Sequence, residues 1–378
     1  MRSLLDSAKA LYQSGSAILP EKWSKITSPY NLEVANKIVR TRLNGRFNEA
    51  KGVFNFIMVV PVVNWESVLI EEAAGHGRVS HLTLESKDRF FENISEWHEF
   101  RRLNFIKIQD FFEKNYVESD KNVLFLYLSD FYIDPRALKN FKVKNTIIVN
   151  FSWDDRLHYE SNHSGQSVGV RGIAKVSDIN LTMAVAPLSR YMSDGSPVFY
   201  WYGRDVDPIF LSEIPDVEFE KVMFFGSSYG YRTELVNYLI KRGIPMDVFG
   251  KGWGGDFISY EDLAYRIPRY ALCLGVSSIG YTRNLTCVKG RDFEVPAAGG
   301  LYLTNYSNEI KHVYKSGREI FTYKTMDSCY KTASKILENP SSYLDVRVAG
   351  QLRANQFSWA SRFGYLKDML GQFFDENN

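Results

Sequence analysis

The residues with the densest chemical potential lie between Lys289 and Gly300, in the run Lys289-Gly290-Arg291-Asp292-Phe293-Glu294-Val295-Pro296-Ala297-Ala298-Gly299-Gly300. Two cations, two carboxylates and a small-residue turn occupy a dozen positions, and the apolar run Leu301-Tyr302-Leu303-Thr304 follows at once. Lys289 and Arg291 can neutralise phosphate, Glu294 can accept from a ribose diol, and the glycines let backbone approach a ligand closely. The same residues could also form an ordinary helix-to-strand connection with a solvated charge cluster, so the surrounding elements must decide.

Two further segments have the form of anion sites. Lys221–Gly226 reads as a strand ending in glycine, followed by the polar loop Ser227-Ser228-Tyr229-Gly230-Tyr231-Arg232 and a helix from Thr233 to Lys241. Backbone N–H groups and the helix dipole favour an anion at such a turn, and Arg232 would add charge. It is neither a P-loop nor a GxGxxG fingerprint. The second segment, Gly250-Lys251-Gly252-Trp253-Gly254-Gly255, follows the strand Met246–Gly250 and offers Trp253 as a stacking surface; a tight turn with a core tryptophan is the alternative. In the first half, Asp154, Asp155 and His158 sit just beyond the strand-like run Thr146–Phe151, where a general base would be placed. A helix cap or a salt-bridged pair would account for the aspartates equally well. Ser129-Asp130 is a weaker candidate of the same kind.

The elements that would position these groups alternate along the chain. Strand-like runs at 53–61, 79–84, 123–128, 146–151, 179–182 and 198–202 are separated by helical segments at 65–74 and 90–115 and by a short helix from Pro135. A proline-marked stretch from Asp207-Pro208 to Pro215-Asp216 separates this series from a second, similar one. Such alternation predicts doubly wound parallel sheets, which bind ligands at the carboxyl ends of their strands. The expected organisation is an N-terminal Rossmann-like domain over 1–214 with a helical extension, a C-terminal one over 215–355, and a helix over 356–378 that packs back on the first.

Composition fits two ordinary cores. The chain has 378 residues, 45% of them hydrophobic and 15% aromatic, and a formal net charge of +2, which calls for no nucleic acid. Cys273, Cys287 and Cys329 lack metal-ligand spacing, and the six histidines form no zinc motif, so no metal is expected. The charged N-terminus lacks the apolar core of a secretory signal, and no run reaches membrane-span length. A cytoplasmic protein is expected. The basic segment Lys37-Ile38-Val39-Arg40-Thr41-Arg42 is either the wet face of a helix or a contact with anionic lipid at the inner face of a membrane.

The order strand-Phe-Gly, loop, Arg, helix, then Phe249-Gly250-Lys251-Gly252-Trp253, then Arg291–Gly300 and strand-Thr-Asn, resembles the C-terminal domain of GT-B glycosyltransferases. In particular it resembles the spore-maturation-protein-B-like (CgeB-like) group. The similarity is good over about 215–370 and continues into Phe357-Ser358-Trp359-Ala360-Ser361-Arg362, which looks like that group's terminal Trp-x-x-Arg helix. The N-terminal half fits loosely, through Asn150–Asp155 and the passage from Gly195 to Asp207-Pro208. The resemblance implies a GT-B fold, two Rossmann-like domains facing across a cleft. It implies a glycosyltransferase that moves a sugar from a nucleotide-diphosphate sugar to a hydroxyl on a glycan, lipid-linked or protein acceptor, with no cofactor beyond that co-substrate.

By position, the resemblance puts Glu294 at the donor's ribose, Lys289 and Arg291 at its phosphates, and Gly299 and Gly300 along the pocket. Gly226, Ser227, Arg232, Lys251 and Trp253 complete the donor side. Many retaining GT-B enzymes carry a second glutamate eight positions earlier, at the donor sugar. Here that position is Thr286, which leaves the donor-sugar contact and the stereochemical outcome open. The alternatives are a nucleotide-sugar epimerase or hydrolase on the same fold, and a non-catalytic glycan-binding or coat-assembly protein.

Overall fold

The computed structural model describes residues 30–47, 50–61, 66–85, 91, 93–152, 155–163, 166–201, 213–255, 258–279, 283, 285–357 and 359–376. These fall into two compact units. One lies within Ser16–Tyr202 and takes in the C-terminal segment Ala360–Asn378; the other lies within Gly203–Trp359.

In the first unit the described chain opens with helix α1 (Leu32–Leu43), whose first turn is capped by the Asn31 side chain accepting from the N–H groups of Glu33 and Val34. There follow β1 (Phe54–Pro61), α2 (Glu66–Ala74), β2 (Arg78–Leu84), α3 (Ile94–Asn115), β3 (Lys121–Leu126), β4 (Thr146–Ser152), α4 (Asp155–His158), α5 (Arg171–Val176), β5 (Ile179–Thr182), α6 (Leu188–Ser193) and β6 (Val198–Tyr200). The strands form one parallel sheet in the order β2-β1-β3-β4-β5-β6. β1 and β4 are buried at every residue, which is why both read in the sequence as continuous apolar runs rather than alternating ones.

The second unit runs β7 (Phe219–Phe225), α7 (Gly230–Lys241), β8 (Met246–Phe249), α8 (Tyr260–Arg266), β9 (Tyr270–Leu274), α9 (Arg291–Ala297), β10 (Tyr302–Asn305), α10 (Asn308–Val313), β11 (Phe321–Tyr323), α11 (Met326–Glu338) and α12 (Leu344–Ala354). Its parallel sheet has the order β8-β7-β9-β10-β11. Val222 and Phe224 of β7, Leu235 and Leu239 of α7, Leu272 of β9, Leu303 of β10 and Ile336 of α11 share one core. Both sheets are thus doubly wound and parallel, as the alternation of elements predicts.

The last helix, α13 (Trp359–Glu376), belongs to the first unit. Phe363, Leu366, Leu370 and Phe374 recur at helical spacing and are fully buried. Each is worth roughly 1.5–3 kcal/mol relative to exposure. The Phe363 ring centroid lies 5.6 Å from Trp201 and 6.1 Å from Phe56, and Phe374 lies 4.8 Å from Phe47. The Trp201 indole N–H donates to the Arg362 carbonyl over 3.1 Å.

Arg42 and Arg46, at and after the end of α1, bind inward. Arg42 donates to the Ser177 and Gly195 carbonyls, and Arg46 pairs with the buried Asp178 over 2.7 Å. That segment therefore clamps the sheet with part of its positive charge. Among the described residues no helix is long and apolar enough to cross a membrane. All three cysteines are buried and none is in a disulfide, and burial pushes the Cys273 thiol up to about 12.

Candidate functional site

The site is built around Gly226, at the carboxyl end of β7. Its φ of +136° is open to glycine at little cost, and a Cβ there would lie 2.9 Å from Arg291 Nη1. The Arg291 guanidinium donates to the Phe225 carbonyl and lies over the Phe224 and Phe225 rings, 5.1 and 5.5 Å from their centroids. From β8, the Gly226 N–H donates to the Phe249 carbonyl over 2.9 Å and Ser228 N–H to the Lys251 carbonyl over 2.8 Å. The Trp253 indole N–H donates to the Gly226 carbonyl over 2.6 Å. Gly250, at φ +121°, must also be glycine, because a Cβ there would meet that carbonyl oxygen at 2.7 Å.

Three segments that are far apart in sequence therefore touch at one turn. Trp253 holds that turn with its indole N–H and packs edge-on to Phe224, so its ring works as a brace for the loop. Lys251 is exposed and Ser227 half-buried in the same loop pair. Arg232, in the first turn of α7, is buried with its guanidinium 4.4 Å from the Tyr229 ring centroid. Tyr229 occupies the N-cap of α7 and gives the helix no side-chain cap bond.

The run from Lys289 to Gly300 is a buried helix and its terminator. Every residue of α9 is buried. Arg291 is 6% and Glu294 7% exposed, so both belong to the protein interior as much as to a surface. An Arg291→Ala change that leaves the fold intact, which a solvated side chain would allow, is not what this geometry predicts. Asp292 accepts from Lys289 N–H (2.6 Å), Tyr302 Oη (2.8 Å) and Thr304 Oγ1 (3.3 Å). Burial raises the carboxyl's pKa, although these three donors pull the other way.

Gly299 and Gly300 close α9 in a Schellman motif. Gly300 N–H donates to the Val295 carbonyl over 3.0 Å and Gly299 N–H to the Pro296 carbonyl over 2.8 Å, with Gly299 at φ +75°. A Cβ on Gly299 would strike Ile214, and one on Gly300 would strike Ile267. The Arg347 Nε–H donates to the Gly299 carbonyl over 2.8 Å. The terminator and its packing thus account for both glycines, at the amino end of β10, away from the ligand-binding end expected for these strands.

A cavity of about 530 Å³ opens at the carboxyl ends of β10 and β11. Asn305 and Tyr306 line it from the end of β10, Tyr323 and Lys324 from the end of β11, Thr325 and Met326 from the start of α11, and Tyr231 from α7. Thr286 and Arg283, on the connection into α9, complete the lining. Arg283 pairs with Glu234 of α7. Lys324 Nζ lies 4.9 Å from the Tyr306 ring centroid. Asn305 Oδ1 accepts from Ser277 N–H over 2.6 Å, and Tyr323 Oη donates to the Gly275 carbonyl over 2.9 Å.

Of the residues singled out from the sequence, Thr286 is the one that lines this cavity. Two local signals mark the others. Asn305 ends an apolar strand, and Thr325 with Ser328 forms a capping box that fixes the start of α11.

In the first unit the candidate bases fare differently. Trp153 and Asp154 lie outside the described residues, as do Asp207 and Pro208. Asp155 is fully buried and accepts from Tyr191 Oη over 2.8 Å, inside a core that includes Tyr159, Val170 and Leu188. A carboxylate sealed in this way does not meet an acceptor hydroxyl, so Asp155 serves the core. His158 is half-buried, with Nδ1 3.5 Å from Ser161 Oγ. Asp130 accepts from Ser167 Oγ (3.0 Å) and Ile173 N–H (3.1 Å), and burial raises its pKa. Gly172 permits this arrangement, since a Cβ there would lie 2.6 Å from both Asp130 oxygens.

Residues 232–368 match the model of the glycosyl transferase-like family. No curated protein matches the chain. Among solved structures, sucrose-phosphate synthase from Thermosynechococcus elongatus superposes with a TM-score of 0.62 at 10% identity, covering 85% of this chain and 99% of that one. A glycosyltransferase from Rickettsia africae gives 0.60 at 10% identity, over 85% and 99% of the two chains. Anabaena Alr3699/HepE, solved in complex with UDP-glucose, gives 0.58 at 11% identity, over 84% and 100%. Residues 232–368 are thus similar to the glycosyl transferase-like family, and the protein has the GT-B architecture of two Rossmann-like units.

Proposed function

We propose that the protein is a glycosyltransferase that moves a sugar from a nucleotide-diphosphate sugar to a hydroxyl acceptor, in the manner of the CgeB-like group. The observation that carries this reading is the meeting of the Gly226 turn, the Gly250–Gly255 loop and the Arg291 helix at the carboxyl ends of β7 and β8. Doubly wound sheets bind nucleotides at such ends, and helix α7 starts there without a side-chain cap.

In this reading the diphosphate lies on the turn, Lys289 and Arg232 supply positive charge, and Glu294 accepts from the ribose hydroxyls. Arg291 is a positioning residue that fixes the turn from beneath. Transfer proceeds with the charge of these groups and of the α7 N-terminus neutralising the leaving diphosphate, and no metal ion is assigned a part. On the acceptor side His158 is the described candidate for a base. The acceptor hydroxyl belongs to a glycan, a lipid-linked carrier or a protein.

The test is calorimetric titration of UDP, GDP, dTDP and CMP, and their sugar derivatives, against wild type and Glu294→Gln. Binding by the wild type that weakens about 100-fold in the variant supports the reading, since a charge-assisted hydrogen bond is worth roughly 1.5–3 kcal/mol. Equal affinity in the two would sink it. Product analysis with and without acceptor then separates transfer from hydrolysis or epimerisation, which need no acceptor.

A further inference from the structure

We infer that the cavity at the ends of β10 and β11 receives an anionic sugar, so that the donor carries a carboxylate on the transferred residue. This rests on the donor reading above and extends it from the nucleotide to the group beyond the diphosphate. The connection into α9 bears both Lys289, assigned to the diphosphate, and Thr286, which lines the cavity. In this inference the shared connection directs the rest of a donor held on the turn toward the cavity. Its volume of about 530 Å³ falls within the range of small-molecule sites, roughly 300–1,000 Å³.

Its chemistry points to an anion. A neutral sugar presents hydroxyl groups that donate as well as accept, and a site that reads them commonly includes a carboxylate acceptor. Among the described lining residues none is Asp or Glu. The lining supplies two cations, Arg283 and Lys324, while the Thr325 hydroxyl is engaged with Ser328 in the cap of α11. Asn305 uses Oδ1 on the Ser277 N–H, which leaves its amide N–H groups to offer a ligand. Glu234 already neutralises Arg283 from outside the lining. The described contacts of the exposed Lys324 ammonium include the face of Tyr306 and no ion pair, which makes it the cation best placed to answer a carboxylate. A donor phosphate is the other source of such an anion, but the donor reading assigns that group to Lys289, Arg232 and the amino end of α7.

The experiment is titration of free UDP and GDP, of UDP-glucose against UDP-glucuronate, and of GDP-mannose against GDP-mannuronate, with wild type, Lys324→Gln and Lys324→Arg. The expected result is a preference of wild type for the uronate of at least about tenfold, as a lost charge-assisted contact gives. Lys324→Gln should abolish that preference while leaving affinity for the free nucleotide and the neutral sugar within about twofold, and Lys324→Arg should restore it. Nucleotide binding with no uronate preference overturns the inference alone. So does a Lys324→Gln variant that loses free-nucleotide affinity as much as uronate affinity, because the lysine would then belong to the diphosphate. Absence of any nucleotide binding removes the donor reading itself.

Discussion

The two units share a parallel doubly wound sheet but use the carboxyl ends of their strands differently. In the second unit, β7 and β8 end in glycines at positive φ, with backbone turns braced from below by Arg291 and Trp253. In the first, the polar groups beyond β3 and β4 turn inward. Asp155 takes the Tyr191 hydroxyl, and Asp130 takes Ser167 and the backbone of α5. Asp194, further along, takes the Tyr159 hydroxyl at 2.9 Å and the Arg171 fork at 2.7 and 2.8 Å. A buried polar group must be hydrogen-bonded, and one that already is has little left for a ligand. The contrast teaches that carboxylates at strand ends identify a catalytic unit less well than a glycine turn whose supports come from elsewhere in the chain.

The contrast can be broken most sharply at Gly226. Gly226→Ala places a Cβ against the Arg291 guanidinium in a backbone region alanine disfavours, which costs about 1–3 kcal/mol of stability. We expect it also to abolish donor binding, checked by urea denaturation and calorimetry on the same preparation. Asp155→Asn should lower stability by about 1–3 kcal/mol by weakening the Tyr191 bond. The folded fraction should keep its kcat, whereas loss of turnover at unchanged stability would return Asp155 to the catalytic list.

Asp292 gives a pH signature. Its pKa in the folded state is raised, first by burial, so it takes up a proton more readily in the native protein than in the unfolded chain. Stability from this group is fully present below the unfolded carboxylate pKa of about 3.9 and is lost as pH rises through the folded value. Asp292→Asn should flatten the dependence of the urea midpoint on pH just above the normal carboxylate range. An unchanged slope would contradict the assignment. The smallest effect is expected from Trp253→Phe, which removes one indole hydrogen bond to Gly226, for about 0.5–1.5 kcal/mol.

Much of this architecture is legible in the sequence because buried parallel strands are written as apolar runs. Phe54–Pro61, Thr146–Ser152 and Tyr270–Leu274 stand out from their glycine-, proline- or polar-marked flanks. Helix α9 is not legible in that way. Arg291-Asp292-Phe293-Glu294-Val295-Pro296-Ala297 has no apolar stripe, and Pro296 lies inside it. Its helical form comes from tertiary burial of all its faces, with Asp292 bonded to Tyr302 and Thr304 of the neighbouring strand. Strand β11, Phe321–Tyr323, is too short for an alternation to show.

The Gly226 turn and the run from Lys289 to Gly300 are both recognisable as sequence. What no local pattern reveals is that Arg291 reaches under Gly226, or that residues from Tyr231 to Met326 enclose one cavity. Charge type alone also misleads at Asp155, because its burial depends on Tyr191, 36 positions away.

The central claim is that the second unit holds a nucleotide through Glu294 and the Gly226 turn. It is tested most directly by thermal stability of wild type and Glu294→Gln with each of UDP, GDP, dTDP and CMP. A ligand at one hundred times its Kd stabilises by about 2.7 kcal/mol, so at least one nucleotide should raise the wild-type Tm by several degrees. The same nucleotide should leave Glu294→Gln almost unmoved. Equal shifts in both proteins, or no shift with any nucleotide, would contradict the account.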